Sequence, residues 1–310
     1  MKAIVIKSTG SWYKLRLDNG EIIDARIKGK IRLKELNVTN PIAVGDFVEY
    51  EQEQTGDDSD AVINKVLPRH NYIIRKSNKL SKQGQIIASN VDLVLMIITL
   101  SSPKTSLGFI DRFLVMAGAY HVPVTLVFNK YDLYTDEEKD YCQFLEKLYQ
   151  SLGYNTVKTS INVLDLNPDK VLMPIISDKK VLISGHSGVG KSTIINAILP
   201  DVKQRTDIIS VMHARGKHTT TFAEMFYIND TSAIIDTPGI RDFGILDIEK
   251  TEIGHYFPEI RELMKYCKFN NCIHLNEPDC AVINAYEAGT MPASRYYNYL
   301  SILENNDVFD

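Results

Sequence analysis

The chain reads as a multidomain α/β protein with a small N-terminal β-barrel, a central doubly wound α/β domain and a C-terminal, mainly helical segment. Three observations predict this. Five short β-type runs separated by turn signals precede residue 67, buried-strand runs alternate with helical patterns from 85 to about 245, and three cysteines and a histidine bunch together after residue 266. A length of 310 residues, with 44% hydrophobic and 24% charged, suits two or three folded domains and excludes collagen-like, disordered and coiled-coil readings. The longest apolar run, Val91 to Leu100, is ten residues and contains Asp92. It is far short of the roughly 20 residues that cross a bilayer. The N-terminus lacks a secretory pattern, so a cytosolic address and a reducing compartment are expected.

The barrel expectation rests on Ala3–Lys7, Trp12–Leu17, Ile22–Ile27, Phe47–Tyr50 and Ala61–Val66, with turns at Thr9-Gly10, Asn19-Gly20, Lys28-Gly29, Gly45-Asp46 and Gly56-Asp57. An oligonucleotide-binding (OB) barrel leads, and strand count alone leaves an SH3-like barrel open. The formal charge of −4 argues against binding nucleic acid by bulk charge. Locally, Arg26, Lys28, Lys30, Arg32 and Lys34 fall within nine residues, a phosphate-contacting surface or a solvated strand and loop. Pro68 to Gly84, with Arg69, Arg75, Lys76, Lys79 and Lys82 and no acid, reads as a basic connector, able to touch RNA or simply to be solvated. The expected domains are 1–66, 67–245 and 246–310.

In the central domain, strands are expected at Leu93–Leu100, Val122–Phe128, Tyr154–Lys158, Lys180–Ser184 and Ala233–Asp236. Helices are expected at Phe109–Tyr120, Asp136–Leu152 and Lys191–Leu199. Gly185-His186-Ser187-Gly188-Val189-Gly190-Lys191-Ser192 fits G-x-x-x-x-G-K-[ST] between a strand and a helix. Such a loop turns backbone N–H groups toward a phosphate chain, places the Lys191 charge on the β- and γ-phosphates and offers the Ser192 hydroxyl to Mg²⁺. Thr193 follows in the same helical turn.

The base is addressed by Asn129-Lys130-Tyr131-Asp132, an NKxD run at the carboxyl end of a strand. A buried Asp132 carboxylate can accept from both N1–H and the exocyclic amine of guanine, a donor pair that adenine lacks. Discrimination of this kind reaches roughly 10⁴-fold, because the wrong base leaves a buried polar group unpaired. Thr159-Ser160 fits the short guanine-contacting loop of GTPases. Asp236-Thr237-Pro238-Gly239 fits DxxG, whose Asp orients Mg²⁺ through water and whose Gly239 N–H reaches the γ-phosphate.

The order NKxD, TS, P-loop, DxxG is a circular permutation of the Ras-like order. It is allowed because the site needs strands to keep their places in the sheet and not their chain order. The γ-phosphate-sensing loop now runs directly into the C-terminal segment, so rearrangement on hydrolysis is expected to move that segment. Between P-loop and DxxG, Gly216-Lys217-His218-Thr219-Thr220-Thr221 supplies a threonine, Thr220 or Thr221, for Mg²⁺. Ile240 stands where Ras-like proteins place the water-orienting Gln, so unaided hydrolysis should be slow. His218 is the candidate to position water, with an exposed loop histidine as the alternative.

Cys267-x4-Cys272-x-His274-x5-Cys280 supplies three thiolates and one imidazole, a complete tetrahedral set for one structural Zn²⁺. Cys142 falls in a helical pattern and reads as core.

With NKYD, GHSGVGKS, GKHTTT and DTPGI in this order, a β-rich start and C-x4-C-x-H-x5-C after, the chain resembles the ribosome small-subunit-dependent GTPases, the RsgA family. The resemblance implies an OB-fold domain, a permuted GTPase domain and a zinc domain. Together these engage the 30S subunit and its 16S rRNA late in maturation, with subunit-stimulated hydrolysis of GTP to GDP. It also implies a hydrolytic role for the switch histidine, here His218. Lys217 precedes it where Arg is frequent, which keeps the charge but not bidentate geometry. Residues 246–310 carry 5 basic and 11 acidic side chains, net −6, which favours protein or shape contacts there over electrostatic grip on rRNA. A monomer is expected. Two other readings stay open: a nucleotide-gated RNA-binding protein with incidental hydrolysis, and a P-loop ATPase or kinase in which NKYD is accidental.

Overall fold

A computed structural model describes residues 1–10, 12–27, 40–55, 58–76, 84–199, 223–236 and 248–304. The first five strands are β1 (Lys2–Ser8), β2 (Trp12–Arg16), β3 (Ile22–Ile27), β4 (Phe47–Thr55) and β5 (Asp58–Val66). They close on themselves in the order β1-β2-β3-β5-β4-β1, with only β3–β5 parallel. Alternation sets the inside: Ala3 and Val5, Tyr13 and Leu15, Ala25, Val48 and Tyr50, and Ala61 and Ile63 fill one core. This is the OB-type barrel that the short runs predict. Of the basic cluster, Arg26 pairs with Glu53 at 3.2 Å, and Lys28, Lys30, Arg32 and Lys34 lie outside the described residues.

The basic connector is more structured than its composition suggests. β6 (Tyr72–Lys76) pairs antiparallel with β7 (Gly84–Ser89). Arg69 is neither a surface contact nor solvated. Its guanidinium makes two 2.6 Å bonds to the fully buried Asp46 carboxylate, which also accepts from Ser89 Oγ at 2.5 Å and Ala43 N–H at 2.8 Å. Lys79 and Lys82 lie outside the described residues.

The central sheet runs β10 (Asn155–Lys158), β9 (Val124–Phe128), β8 (Leu93–Ile98), β11 (Lys180–Ser184), β13 (Ala233–Asp236) and β12 (Glu224–Tyr227), all parallel except β12. Helices α1 (Leu107–Ala119) and α2 (Asp136–Ser151) cover one face, and α3 (Pro168–Ile176) and α4 (Lys191–Ile198) the other. The period-2 rule divides β8 cleanly: Val94, Met96 and Ile98 face the first helix pair, and Leu93, Leu95 and Ile97 the second. Cys142 is fully buried on α2, as core. A capping box starts α2, where Thr135 Oγ1 accepts from the Glu138 N–H and the Glu138 carboxylate accepts from the Thr135 N–H. β12 and α3 are absent from the sequence expectation.

Barrel and central domain share one continuous sheet, because β1 pairs antiparallel with β12 at Lys7–Glu224. The Lys7 ammonium meets the Glu224 carboxylate at 2.7 Å, and Arg16 lies 4.0 Å over the Tyr227 ring.

The C-terminal segment comprises α5 (Lys250–Ile253), α6 (Pro258–Met264), α7 (Ala281–Glu287) and α8 (Ala293–Leu303). Its core of Phe257, Ile260, Val282, Tyr299 and Ile302 admits Val115 of α1. Arg295 of α8, 1% exposed, enters the same contact. It donates to Glu259 at 2.5 Å and to Asp111 of α1, whose carboxylate also accepts from Asn298 Nδ2 at 2.6 Å and Tyr149 Oη at 2.8 Å. Burial alone would lower the guanidinium pKa, but the two carboxylates outweigh it and keep the group charged. Among the described residues no helix is long and apolar enough to cross a membrane.

Arg295→Ala strips the cation from two carboxylates, one of them fully buried. It should cost about 3–5 kcal/mol in urea unfolding, where an exposed ion pair contributes under about 1.

Candidate functional site

The described phosphate and base loops lie at the carboxyl ends of strands of one sheet, with β8 between β11 and β9. β11 leads into Gly185–Gly190 and then α4, β9 into Asn129–Asp132, and β10 into Thr159-Ser160; β13 ends on Asp236. The described parts of the permuted motifs therefore share one edge of the sheet.

Two glycines of the phosphate loop are dictated by close approach. A Cβ on Gly185, at φ +143°, would stand 2.3 Å from the Ile97 carbonyl oxygen, and one on Gly190, at φ +99°, 2.4 Å from Asn129 Nδ2. Val189 is buried and anchors the loop from beneath. Lys191 folds back to donate to the carbonyls of Gly185 at 2.8 Å and His186 at 2.6 Å. Burial lowers its pKa, an effect partly offset by the Asp236 carboxylate. A polyanion would add countercharge to this ammonium beyond what Asp236 supplies. His186, held neutral chiefly by burial and then by Lys191, lies against Phe109 of α1 with ring centres 3.7 Å apart. Ser187, Gly188, Ser192 and Thr193 are exposed at the loop and the start of α4.

The base-side loop is stitched to the phosphate loop. Asn129, 5% exposed, donates through Nδ2 to the Val189 carbonyl at 2.8 Å and accepts through Oδ1 from Thr159 Oγ1 at 2.9 Å. Lys130, at φ 58°, extends to the Ser102 carbonyl at 2.6 Å. The Asp132 carboxylate accepts from Ser160 Oγ at 2.6 Å and Asn162 Nδ2 at 2.8 Å. Burial raises its pKa, but these two donors outweigh it and the group sits below its ordinary value. Sequence reading missed Asn162, Ser102 and Phe109.

His218, Thr220, Thr221, Gly239 and Ile240 lie outside the described residues.

In the C-terminal segment, the ligand atoms of Cys267, Cys272, His274 and Cys280 all lie within 4.8 Å of one another. His274 Nδ1 is 3.3 Å from Cys280 Sγ and 3.6 Å from Cys267 Sγ, and the two sulfurs are 3.9 Å apart. Tetrahedral zinc, with bonds of about 2.3 Å to sulfur and 2.0–2.1 Å to nitrogen, separates its ligands by roughly 3.5–3.8 Å. The set fits. Burial pushes the Cys272 thiol up to about 12, so a cation is needed to hold the thiolate form. The ligand loop is braced from outside. Tyr296 and Tyr299 hydroxyls donate to the carbonyls of His274 and Ile273 at 2.9 and 2.7 Å, and the Glu277 carboxylate accepts from the N–H groups of Ile273, Leu275 and Asn276.

Comparison with known proteins decides the family. The family model described as RsgA GTPase matches residues 66–246, and the RsgA N-terminal domain matches 2–62. This chain belongs to the RsgA GTPase family. The small ribosomal subunit biogenesis GTPase RsgA 2 of Bacteroides thetaiotaomicron is 49% identical over 307 residues, covering 99% of this chain and 97% of the relative. The RsgA of Christiangramia forsetii is 48% identical at the same coverage. Among solved structures, YjeQ from Thermotoga maritima superposes with a TM-score of 0.75 at 34% identity, covering 98% of this chain and 97% of that one. YloQ, described as a circularly permuted GTPase, superposes at 0.71 with 29% identity over 98% and 94%. As an RsgA-family member, the protein is a GTP-hydrolysing enzyme.

Two outcomes follow from this geometry. Asp132→Asn should exchange the preference for guanosine over xanthosine triphosphate, by on the order of 10²-fold or more in relative affinity, read by competition binding. Glu277 is pushed up by burial, but its backbone donors more than offset this and hold it below the ordinary 4.5. Its stabilisation is full above the unfolded-state value and is lost as pH falls through the lower folded-state value. Glu277→Gln should therefore lower the melting temperature at pH 7 and flatten the acid limb of the stability curve.

Proposed function

We propose that this protein binds the small ribosomal subunit late in its maturation and uses GTP hydrolysis, stimulated by the subunit, to time its own release. The observation that carries this reading is full-length similarity to small ribosomal subunit biogenesis GTPases, joined to a phosphate loop and base loop held together by Asn129. The working division is a barrel at 1–66, a permuted GTPase domain at 67–245 and a zinc domain at 246–310. Barrel and zinc domain contact the 30S subunit and 16S rRNA, and the chain acts as a cytoplasmic monomer.

In this reading guanine is selected by Asp132, with Asn129, Lys130, Thr159 and Ser160 shaping its pocket, and the triphosphate is held by Gly185 to Ser192, with Thr193 following. Ser192 and a switch threonine (Thr220 or Thr221) would hold Mg²⁺, with Asp236 orienting it through water; when bound it neutralises charge on the β- and γ-phosphate oxygens. Gly239 contacts the γ-phosphate. His218 positions the attacking water when the subunit is bound, replacing the function that Ile240 cannot supply. One Zn²⁺ on Cys267, Cys272, His274 and Cys280 is structural, since four protein ligands leave no open coordination position.

Single-turnover hydrolysis with and without purified small subunits tests the reading. Wild type should be accelerated by subunits. His218→Ala should retain nucleotide binding while losing on the order of 10²-fold of the accelerated rate. Absence of acceleration in the wild type would instead favour an RNA-binding protein whose hydrolysis is incidental.

A further inference from the structure

The Asp132 carboxylate offers about four lone-pair sites on two oxygens. Ser160 Oγ fills one on Oδ1 and Asn162 Nδ2 fills one on Oδ2. The Asn162 N–H also donates to Ser160 Oγ at 3.2 Å, so that hydroxyl's own proton is committed to Asp132. One residue thus governs both oxygens, Oδ2 directly and Oδ1 through Ser160. The residue's own backbone N–H leans on the carboxylate as well, and the acceptor capacity left over serves the donors that guanine presents on its N1–H and 2-amino edge. Asn162 is solvent-exposed and its amide could pair with water. It bonds instead to an ionised acceptor, the stronger partner.

This inference rests on the reading of Asp132 as the guanine-selecting group. We propose that Asn162 is a positioning and specificity-determining residue for guanine. Its backbone and side-chain donors hold the Asp132 carboxylate so that one acceptor site on each oxygen stays available to the base. Hypoxanthine, with N1–H but no 2-amino group, can use only one of those sites. Xanthine presents a carbonyl where guanine presents the amine. Asn162 therefore sharpens the choice of base, and its contribution falls on nucleotide affinity more than on the hydrolytic step.

The test measures dissociation constants of GDP, IDP and XDP on the full chain for wild type, Asn162→Ala, Asp132→Asn and the double variant. Asn162→Ala should weaken GDP about five- to tenfold, the effect of one ordinary hydrogen bond, since the Asn162 amide is exposed and water partly replaces it. It should narrow the GDP-over-IDP preference and raise KM for GTP more than it lowers kcat. In the Asp132→Asn background, where the charged acceptor is gone, the same change should add less than about twofold. The proposal is overturned if Asn162→Ala leaves GDP affinity and base preference unchanged. It is equally overturned if GDP and IDP weaken together with full additivity in the double variant, the mark of a merely structural role. Asp132→Asn separates the two levels. A switch toward xanthosine nucleotides with no effect of Asn162→Ala defeats the role of Asn162 alone, and no switch defeats the guanine reading beneath it.

Discussion

The buried amide of Asn129 is the contact on which the nucleotide site depends. Its donor end holds the Val189 carbonyl of the phosphate loop and its acceptor end the Thr159 hydroxyl of the base loop. A side chain 5% exposed has no water to fall back on, so both bonds are needed to satisfy it. Gly190 leaves the space for this amide, and any larger residue there would collide with it. Three segments far apart in the chain are thereby fixed relative to one another before a nucleotide arrives, which is the preorganisation that recognition requires. Chain order is irrelevant to that geometry, and the permuted sequence loses nothing by it.

The barrel and the C-terminal segment attach to this centre by different physics. The barrel joins by backbone pairing, with β1 extending the central sheet beyond β12, reinforced by Lys7–Glu224 and by the Arg69–Asp46 pair beside β7. The C-terminal segment joins through packing against α1 and a buried guanidinium. Its ligand loop is held from one side by thiols and imidazole and from the other by Glu277 and two tyrosine hydroxyls.

Much of the fold was legible in the sequence because local signals agreed with tertiary demands. The β8, β9 and β11 runs are apolar on both faces, as strands covered by helices must be, and the phosphate loop sits between a strand and a helix. What escaped detection had a physical reason. α3 carries Pro174 inside it and spans nine residues, too few for a strong helical period. β12 is short and only half-buried, so its pattern is weak. In the connector the basic composition masked the β6–β7 hairpin, and Arg69 read as a surface charge because its partner Asp46 lies 23 residues away. Asn162 contributes through a hydrogen bond to a residue 30 positions earlier, and no local pattern records such a pairing. Residue types announce a phosphate loop or a zinc site; they do not announce who pairs with whom across the core.

The Arg295 clamp has a mechanical consequence. A guanidinium shared between carboxylates on α1 and α6 works as a shear pin, since sliding one helix past the other would strand bare charges in a low-dielectric seam. The Cys/His module and α1 consequently travel as one lever. Two residues along that lever from Asp111, Phe109 rests on the imidazole of His186, so a load applied at the Cys/His module arrives at the phosphate loop.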